Sequence, residues 1–182
     1  VLGRVRKGRP APGARAHLAL LTETDGRRWL VDAGFGGPGP LSPLALDIAG
    51  AQHAPNGRFR MVRDAVTGET VVETQGPDGW FALYGFDGAH VTDADIAAAN
   101  HLCVTWPGLP FRDHLMAGGY RAGTRVGLFD RALAVEAPGH TQRCEIATRA
   151  EFGAVLHERL GIAAPEATLD RAWSRLAPDQ NP

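Results

Sequence analysis

Two residues in the stretch HLALLTETDGRRWLVDAGFGG, positions 17–37, have the types and spacing for proton chemistry: His17 at its start and Asp32 near its end. Between them Asp25-Gly26 is a dipeptide favoured in two-residue hairpin turns, because both central positions want positive φ. That turn makes Thr24 face Arg27, Ala19 face Asp32 and His17 face Gly34. His17 and Asp32 are then diagonal neighbours on one face, about 7–8 Å apart at Cα and within side-chain reach. A buried carboxylate on one imidazole nitrogen fixes the ring's tautomer and stabilises the imidazolium that forms when the other nitrogen takes a proton. Such a pair is two-thirds of a nucleophilic triad; the same spacing also suits a satisfied core histidine beside a turn-capping carboxylate.

The next segment, GFGGPGPLSPL, adds a second element of a site. Gly34, Gly36 and Gly37 allow backbone N–H groups to approach a ligand closely, and Phe35 can offer its ring to an apolar substrate. A nucleophile is harder to find. Cys103 closes a helical segment among apolar neighbours and reads as a buried structural thiol, Cys144 lies in a strand-like segment between Arg143 and Glu145, and no serine sits in a G-x-S-x-G elbow. Neither cysteine belongs to a CxxC or keeps zinc spacing with histidine, so no metal is expected.

The elements that must position these residues are mostly short strands. Residues 2–6, 16–23, 28–34, 58–64, 69–75 and 79–86 read as strands separated by turn signals, which predicts an antiparallel sheet or small barrel over roughly residues 1–90. Thr92 with Asp95 three residues on opens a helix over 93–103. Residues 114–136 and TQRCEIAT return to strands. A T-x-x-E capping box at Thr148 and Glu151 opens one terminal helix, and a last one begins near Thr168 with Leu169, Trp173 and Leu176 along one face. The order is β-rich, then one helix, then strands again with C-terminal helices, so the expected class is α+β.

Composition narrows the partners. The formal net charge of −1, the 44% apolar fraction and the 21% charged fraction describe a globular chain with no footprint for nucleic acid, although Arg4, Arg6, Lys7, Arg9 and Arg15 form a basic patch. No apolar run approaches the ~20 residues that span a bilayer and no signal peptide is recognisable, so neither a membrane nor an export route is expected. Two cysteines are too few for a disulfide framework, and a reducing, cytoplasmic location is the simpler expectation. The chain opens on Val1 with what reads as a strand entering a loop, which suggests a piece upstream.

The stretch ARAHLALLTETDGRRWLVDAGFGGPGPLSPLAL resembles the histidine and aspartate segments of the arylamine N-acetyltransferases, which carry a THxxLxV strand and an xLVDVGFGG loop. DADIAAANHLCVTWPGLPFRDHLMA and RCEIATRAEFGAVLHERLGI are similar to the family's later segments. The resemblance implies ping-pong acetyl transfer: a cysteine thiolate takes acetyl from acetyl-CoA, and an arylamine or arylhydrazine then attacks the thioester. By the same resemblance His17 is the base, Asp32 its orienter, Phe35 and Phe111 substrate-binding aromatics, and Gly36 and Gly37 part of the loop beside coenzyme A. The family's RGGxCxExN stretch, which supplies the nucleophile from an N-terminal helical domain, is absent here, and neither Cys103 nor Cys144 matches it. The resemblance therefore implies an antiparallel β-barrel domain over 1–90 carrying His17 and Asp32, an α/β lid domain over 91–182 with C-terminal helices, and a chain that lacks the helical domain and is inactive by itself. The alternative is a non-catalytic module that binds an aromatic small molecule or coenzyme A; a third reading, a hydrolase using Cys103, requires that thiol to be activated by His17.

Overall fold

A computed structural model of the chain describes residues 1–8, 13–107, 109–137 and 140–176. Two compact units divide between Leu109 and Pro110. The first contains β1 (Leu2–Val5), β2 (Arg15–Leu18), β3 (Leu20–Thr24), β4 (Arg27–Val31), β5 (Leu44–Ala45), β6 (Ala51–Ala54), β7 (Gly57–Arg63), β8 (Thr70–Gly76), β9 (Gly79–Phe86) and helix α1 (Asp93–Thr105). The chain is therefore α+β with antiparallel sheets, as expected.

The barrel is not observed. The described strands of this unit form two open sheets, one in the order β2-β1-β9-β8-β7-β6 and the other β3-β4-β5. The break falls at Ala19, which exchanges backbone hydrogen bonds with Val1 (2.9 and 3.1 Å) before the chain turns into the second sheet. Closure also fails on the far side. Pro38, Pro40 and Pro43 deny the connecting segment the N–H groups a ladder needs, and β5 is left two residues long.

The Asp25-Gly26 turn takes the expected form, with φ of 54° and 70°, and the ladder pairs Leu20 with Val31 through Thr24 with Arg27. The register therefore holds across β3 and β4 but does not extend to His17. His17 pairs with Gly3 of β1, not with Gly34, because β2 belongs to the larger sheet and carries an irregularity opposite Gly3 and Arg4. Between the sheets lies a core of Leu30, Leu44, Phe59, Val72, Leu83 and Tyr84, all essentially without solvent exposure. Each such side chain contributes about 1.5–3 kcal/mol by leaving water.

Thr92 caps α1 in a reciprocal capping box with Asp95, as its spacing predicts. The second unit is a meander of β10 (Met116–Arg121), β11 (Thr124–Phe129), β12 (Ala132–Ala137) and β13 (His140–Glu145), followed by α2 (Arg149–Ala154), a π-helical turn (Val155–Arg159) and α3 (Glu166–Leu176). Thr148 and Glu151 form the second capping box. The last helix starts at Glu166, before the expected Thr168, because Pro165 presets the helical φ and its carbonyl accepts from the N–H groups of Thr168 and Leu169. Leu169, Trp173 and Leu176 pack together on the core of this unit. Among the described residues no helix is long and apolar enough to cross a membrane.

Candidate active site

His17 stands at the end of β2 with its ring turned into the first unit. Its partner strand places Gly3 opposite, and the missing side chain there matters: a Cβ on Gly3 would lie 3.1 Å from Cδ2 of Tyr84 and 3.2 Å from the carbonyl oxygen of Gly85. Glycine lets the Tyr84 ring of β9 stand against the imidazole, with centroids 4.6 Å apart in an edge-on arrangement. Phe35 closes another side at 5.0 Å, also edge-on. The histidine is thereby confined by two rings rather than by sheet geometry alone.

Asp32 follows β4 directly, and its side chain has 0% exposure. Its two oxygens have separate partners. Oδ2 lies 2.8 Å from Nε2 of His17, while Oδ1 accepts the backbone N–H groups of Gly34 (3.1 Å) and Phe35 (2.9 Å). Burial pushes this carboxyl upward, but the hydrogen bond and charge of His17, the Tyr84 hydroxyl and the Phe35 N–H outweigh it and hold Asp32 below the ordinary carboxylate value. With Nε2 committed to Asp32, Nδ1 is the atom left to exchange a proton, and among the described residues it has no hydrogen-bond partner.

Tyr84 is a site residue that the sequence pattern did not single out. Its hydroxyl is buried and interacts with the Asp32 carboxylate without closing a full hydrogen bond among the described residues. Burial, reinforced by the charge of Asp32, pushes the phenol far above its usual range, so it stays neutral and can only present its O–H dipole. GWFALYGF is apolar almost throughout and its last four residues, Leu83 to Phe86, are all buried; a tyrosine in so apolar a strand was the available signal for an inward phenol.

The other expected residues fall as follows. Gly36 and Gly37 occupy the loop after Phe35 with φ of 63° and 47°, a left-handed pair that only glycine adopts at low cost. Phe111 belongs to the second unit, in the turn ahead of His114, and is 54% exposed. Cys103 lies on α1, its Sγ 3.9 Å from the carbonyl oxygen of Ala16, and burial raises its pKa. Its partner is thus the backbone of β2 rather than the His17 ring, and the shift is opposite to that of an activated thiol. Cys144 is exposed on β13 in the other unit. Among the described residues there is no cluster of three or more metal-ligating side chains.

A buried histidine oriented by a carboxylate, with one nitrogen free beside a glycine-rich loop, is the arrangement that base activation of a nucleophile requires. Comparison with known proteins then fixes the family. The sequence profile of the N-acetyltransferase family matches residues 1–168, and the chain belongs to that family. It is 32% identical over 117 residues to an arylamine N-acetyltransferase / N-hydroxyarylamine O-acetyltransferase of Salmonella typhimurium, covering 64% of this chain and 41% of that protein. An arylamine N-acetyltransferase of Mycobacterium tuberculosis is 32% identical over 151 residues, covering 83% and 53% respectively. The solved structure of the Mycobacterium marinum arylamine N-acetyltransferase in complex with CoA superposes with a TM-score of 0.84 at 28% identity, over 96% of this chain and 66% of that one. The chain thus spans about half the length of these curated relatives.

Proposed function

We propose that these residues carry the base and acceptor side of an arylamine N-acetyltransferase, with acetyl-CoA as donor and an arylamine or arylhydrazine as acceptor. The observation that carries this reading is the Asp32–His17 hydrogen bond through Nε2, which leaves Nδ1 to serve a thiol. In the first half-reaction the cysteine proton passes to Nδ1 of His17, the thiolate attacks the acetyl carbonyl, and the C–S bond to coenzyme A breaks. The departing thiolate of coenzyme A recovers the proton from the imidazolium. In the second half-reaction the amine nitrogen attacks the thioester, the cysteine sulfur leaves, and the ammonium proton returns through His17.

Within this reading Phe35 contacts the aromatic acceptor, and the N–H groups around Gly36 and Gly37 lie beside coenzyme A. The thiol is supplied by a helical segment outside these 182 residues, since neither Cys103 nor Cys144 is placed to serve. The two unpaired cysteines suit a reducing, cytoplasmic location.

The test is direct. The 182 residues incubated with acetyl-CoA and an arylamine are expected to yield no acetylated amine, while the same residues joined to a family N-terminal domain are expected to yield it. Turnover by the unjoined chain that survives replacement of both cysteines would overturn the assignment of the nucleophile. Calorimetry showing acetyl-CoA bound by the joined protein with no acetylated amine formed would favour the binding module.

A further inference from the structure

The segment between Asp32 and β5 has too many glycines and prolines to join a sheet, yet it holds the two N–H groups on which Asp32 depends. Its far end is fastened by side chains of the β6–β7 hairpin. Asn56, in the turn between those strands, accepts from the N–H of Leu41 at 3.0 Å and donates to the carbonyl of Gly39 at 2.7 Å. Gln52 of β6 accepts from the N–H of Ala45 at 2.8 Å and donates to the carbonyl of the same residue at 2.9 Å. Each carboxamide thus makes a two-point contact of the kind one peptide makes with the next strand. On its other side Ala45 pairs with Trp29 of β4, so β5 is held between a backbone ladder and a side-chain substitute for one.

These amides bridge the two open sheets where a closed barrel would have backbone pairing. Between the clamps and Asp32 the loop has little slack: Gly39 donates to Gly36 at 2.9 Å, and a Cβ on Gly39 would lie 3.2 Å from that of Phe35. A shift at Gly39 is therefore felt at Phe35, and through the Phe35 N–H at Oδ1 of Asp32. Rotation of that carboxylate moves Oδ2 relative to His17.

We propose that Asn56 and Gln52 are positioning residues for the His17–Asp32 pair, acting by fastening the glycine-rich loop to the β6–β7 hairpin. The consequence for acetyl transfer rests on His17 being the base; the positioning itself does not. The measurement is therefore made without substrate, by NMR of the protein and its variants. Asn56→Ala and Gln52→Ala are expected to speed amide exchange at Gly34 and Phe35 by about tenfold or more and to weaken or shift upfield the low-field Hε2 proton of His17. Asn56→Asp keeps the acceptor for Leu41 but loses the donor to Gly39, and is expected to fall between wild type and alanine. Arg60→Ala, which removes an ion pair between β7 and Glu73 of β8, serves as the control and leaves both signals in place. The proposal is overturned if the Asn56 and Gln52 variants lose stability while Gly34, Phe35 and His17 keep their wild-type signals, or if Arg60→Ala reproduces the changes. Should Asn56→Ala not fold, Gln52→Ala and Asn56→Asp decide it. An acetyl-transfer assay failing on the 182 residues joined to a family N-terminal domain would refute the proposed function and leave this result standing.

Discussion

Nε2 of His17 and Oδ2 of Asp32 lie 2.8 Å apart although their strands belong to different sheets. The contact is not a cross-strand pair; it spans the break at Ala19, where the chain passes from one sheet to the other. A site built across a sheet boundary can orient its two members independently. Here the rings of Tyr84 and Phe35 hold the imidazole, and the loop N–H groups hold the carboxylate.

Replacing Asp32 by Asn tests the orienting role. The amide can still accept the Gly34 and Phe35 N–H groups through one oxygen, so the loop persists, but its NH2 or neutral oxygen faces Nε2 and no longer stabilises an imidazolium. Acetyl transfer by the 182 residues joined to a family N-terminal domain is expected to fall about 10²- to 10⁴-fold, with little change in apparent amine affinity. Steady-state rates across amine concentrations check this, and an undiminished rate would remove Asp32 from the mechanism.

Acid should weaken the fold through the same carboxylate. The folded-state pKa of Asp32 is lowered, so below the unfolded value of about 4 the unfolded chain binds more protons than the folded one. The stabilisation is fully present above that value and is lost as pH falls through the folded pKa. Asp64, lowered chiefly by its hydrogen bond to Arg6, acts in the same direction. Denaturant unfolding between about pH 2 and 6 is expected to show stability rising with pH, and Asp32→Asn to flatten part of that slope. A slope unchanged in the variant would show that Asp32 is not shifted.

How much of the fold and site is legible in the sequence depends on whether a residue's partner is local. Asp25-Gly26 fixes the β3–β4 register within a few residues, and the residue pattern alone therefore brings His17 and Asp32 to one face. The right contact emerges with one wrong pairing, because nothing in residues 17–19 announces that β2 belongs to another sheet. The barrel failed for a related reason: strand count and spacing do not reveal whether the two edge strands meet, and here Gln52 and Asn56 bridge what a ladder would have closed. Amide side chains bonding to backbone leave no periodic pattern. Tyr84 lies between these cases, visible as an inward tyrosine but not as a neighbour of a carboxylate far away in sequence.

Tyr84→Phe separates electrostatics from packing at the site. The hydroxyl is buried without a full hydrogen bond, so its removal is expected to change stability by less than about 1 kcal/mol. The Asp32 carboxylate nevertheless loses a favourable dipole, and its titration, followed by carbonyl 13C shift, is expected to move upward. Tyr84→Ala instead empties a fully buried site and should cost about 3–5 kcal/mol. If the phenylalanine variant titrates at Asp32 like wild type, the phenol is only packing.

Arg6 offers a stability test away from the histidine. Its side chain, 9% exposed, reaches Asp64 at 2.6 Å and Glu69 at 2.8 Å, and Glu69 is itself only 8% exposed and also held by Arg4 at 3.1 Å. This cluster ties the end of β1 to the β7–β8 connection across β9, where Gly85 leaves room for it: a Cβ on Gly85 would lie 2.5 Å from Oε2 of Glu69 and 3.1 Å from Nε of Arg6. Arg6→Ala takes the guanidinium from Asp64 and leaves the buried Glu69 with Arg4 alone, and is expected to cost about 3 kcal/mol. Gly85→Ala reaches the same cluster without removing a charge and should destabilise by about 1–3 kcal/mol through overpacking. Glu69→Gln removes the charge and turns one oxygen into an NH2 that cannot accept from Arg4 or Arg6, so a cost well below that of Arg6→Ala would assign the larger effect to the underpaired carboxylates; equal costs in chemical denaturation would assign it to the lost guanidinium contacts.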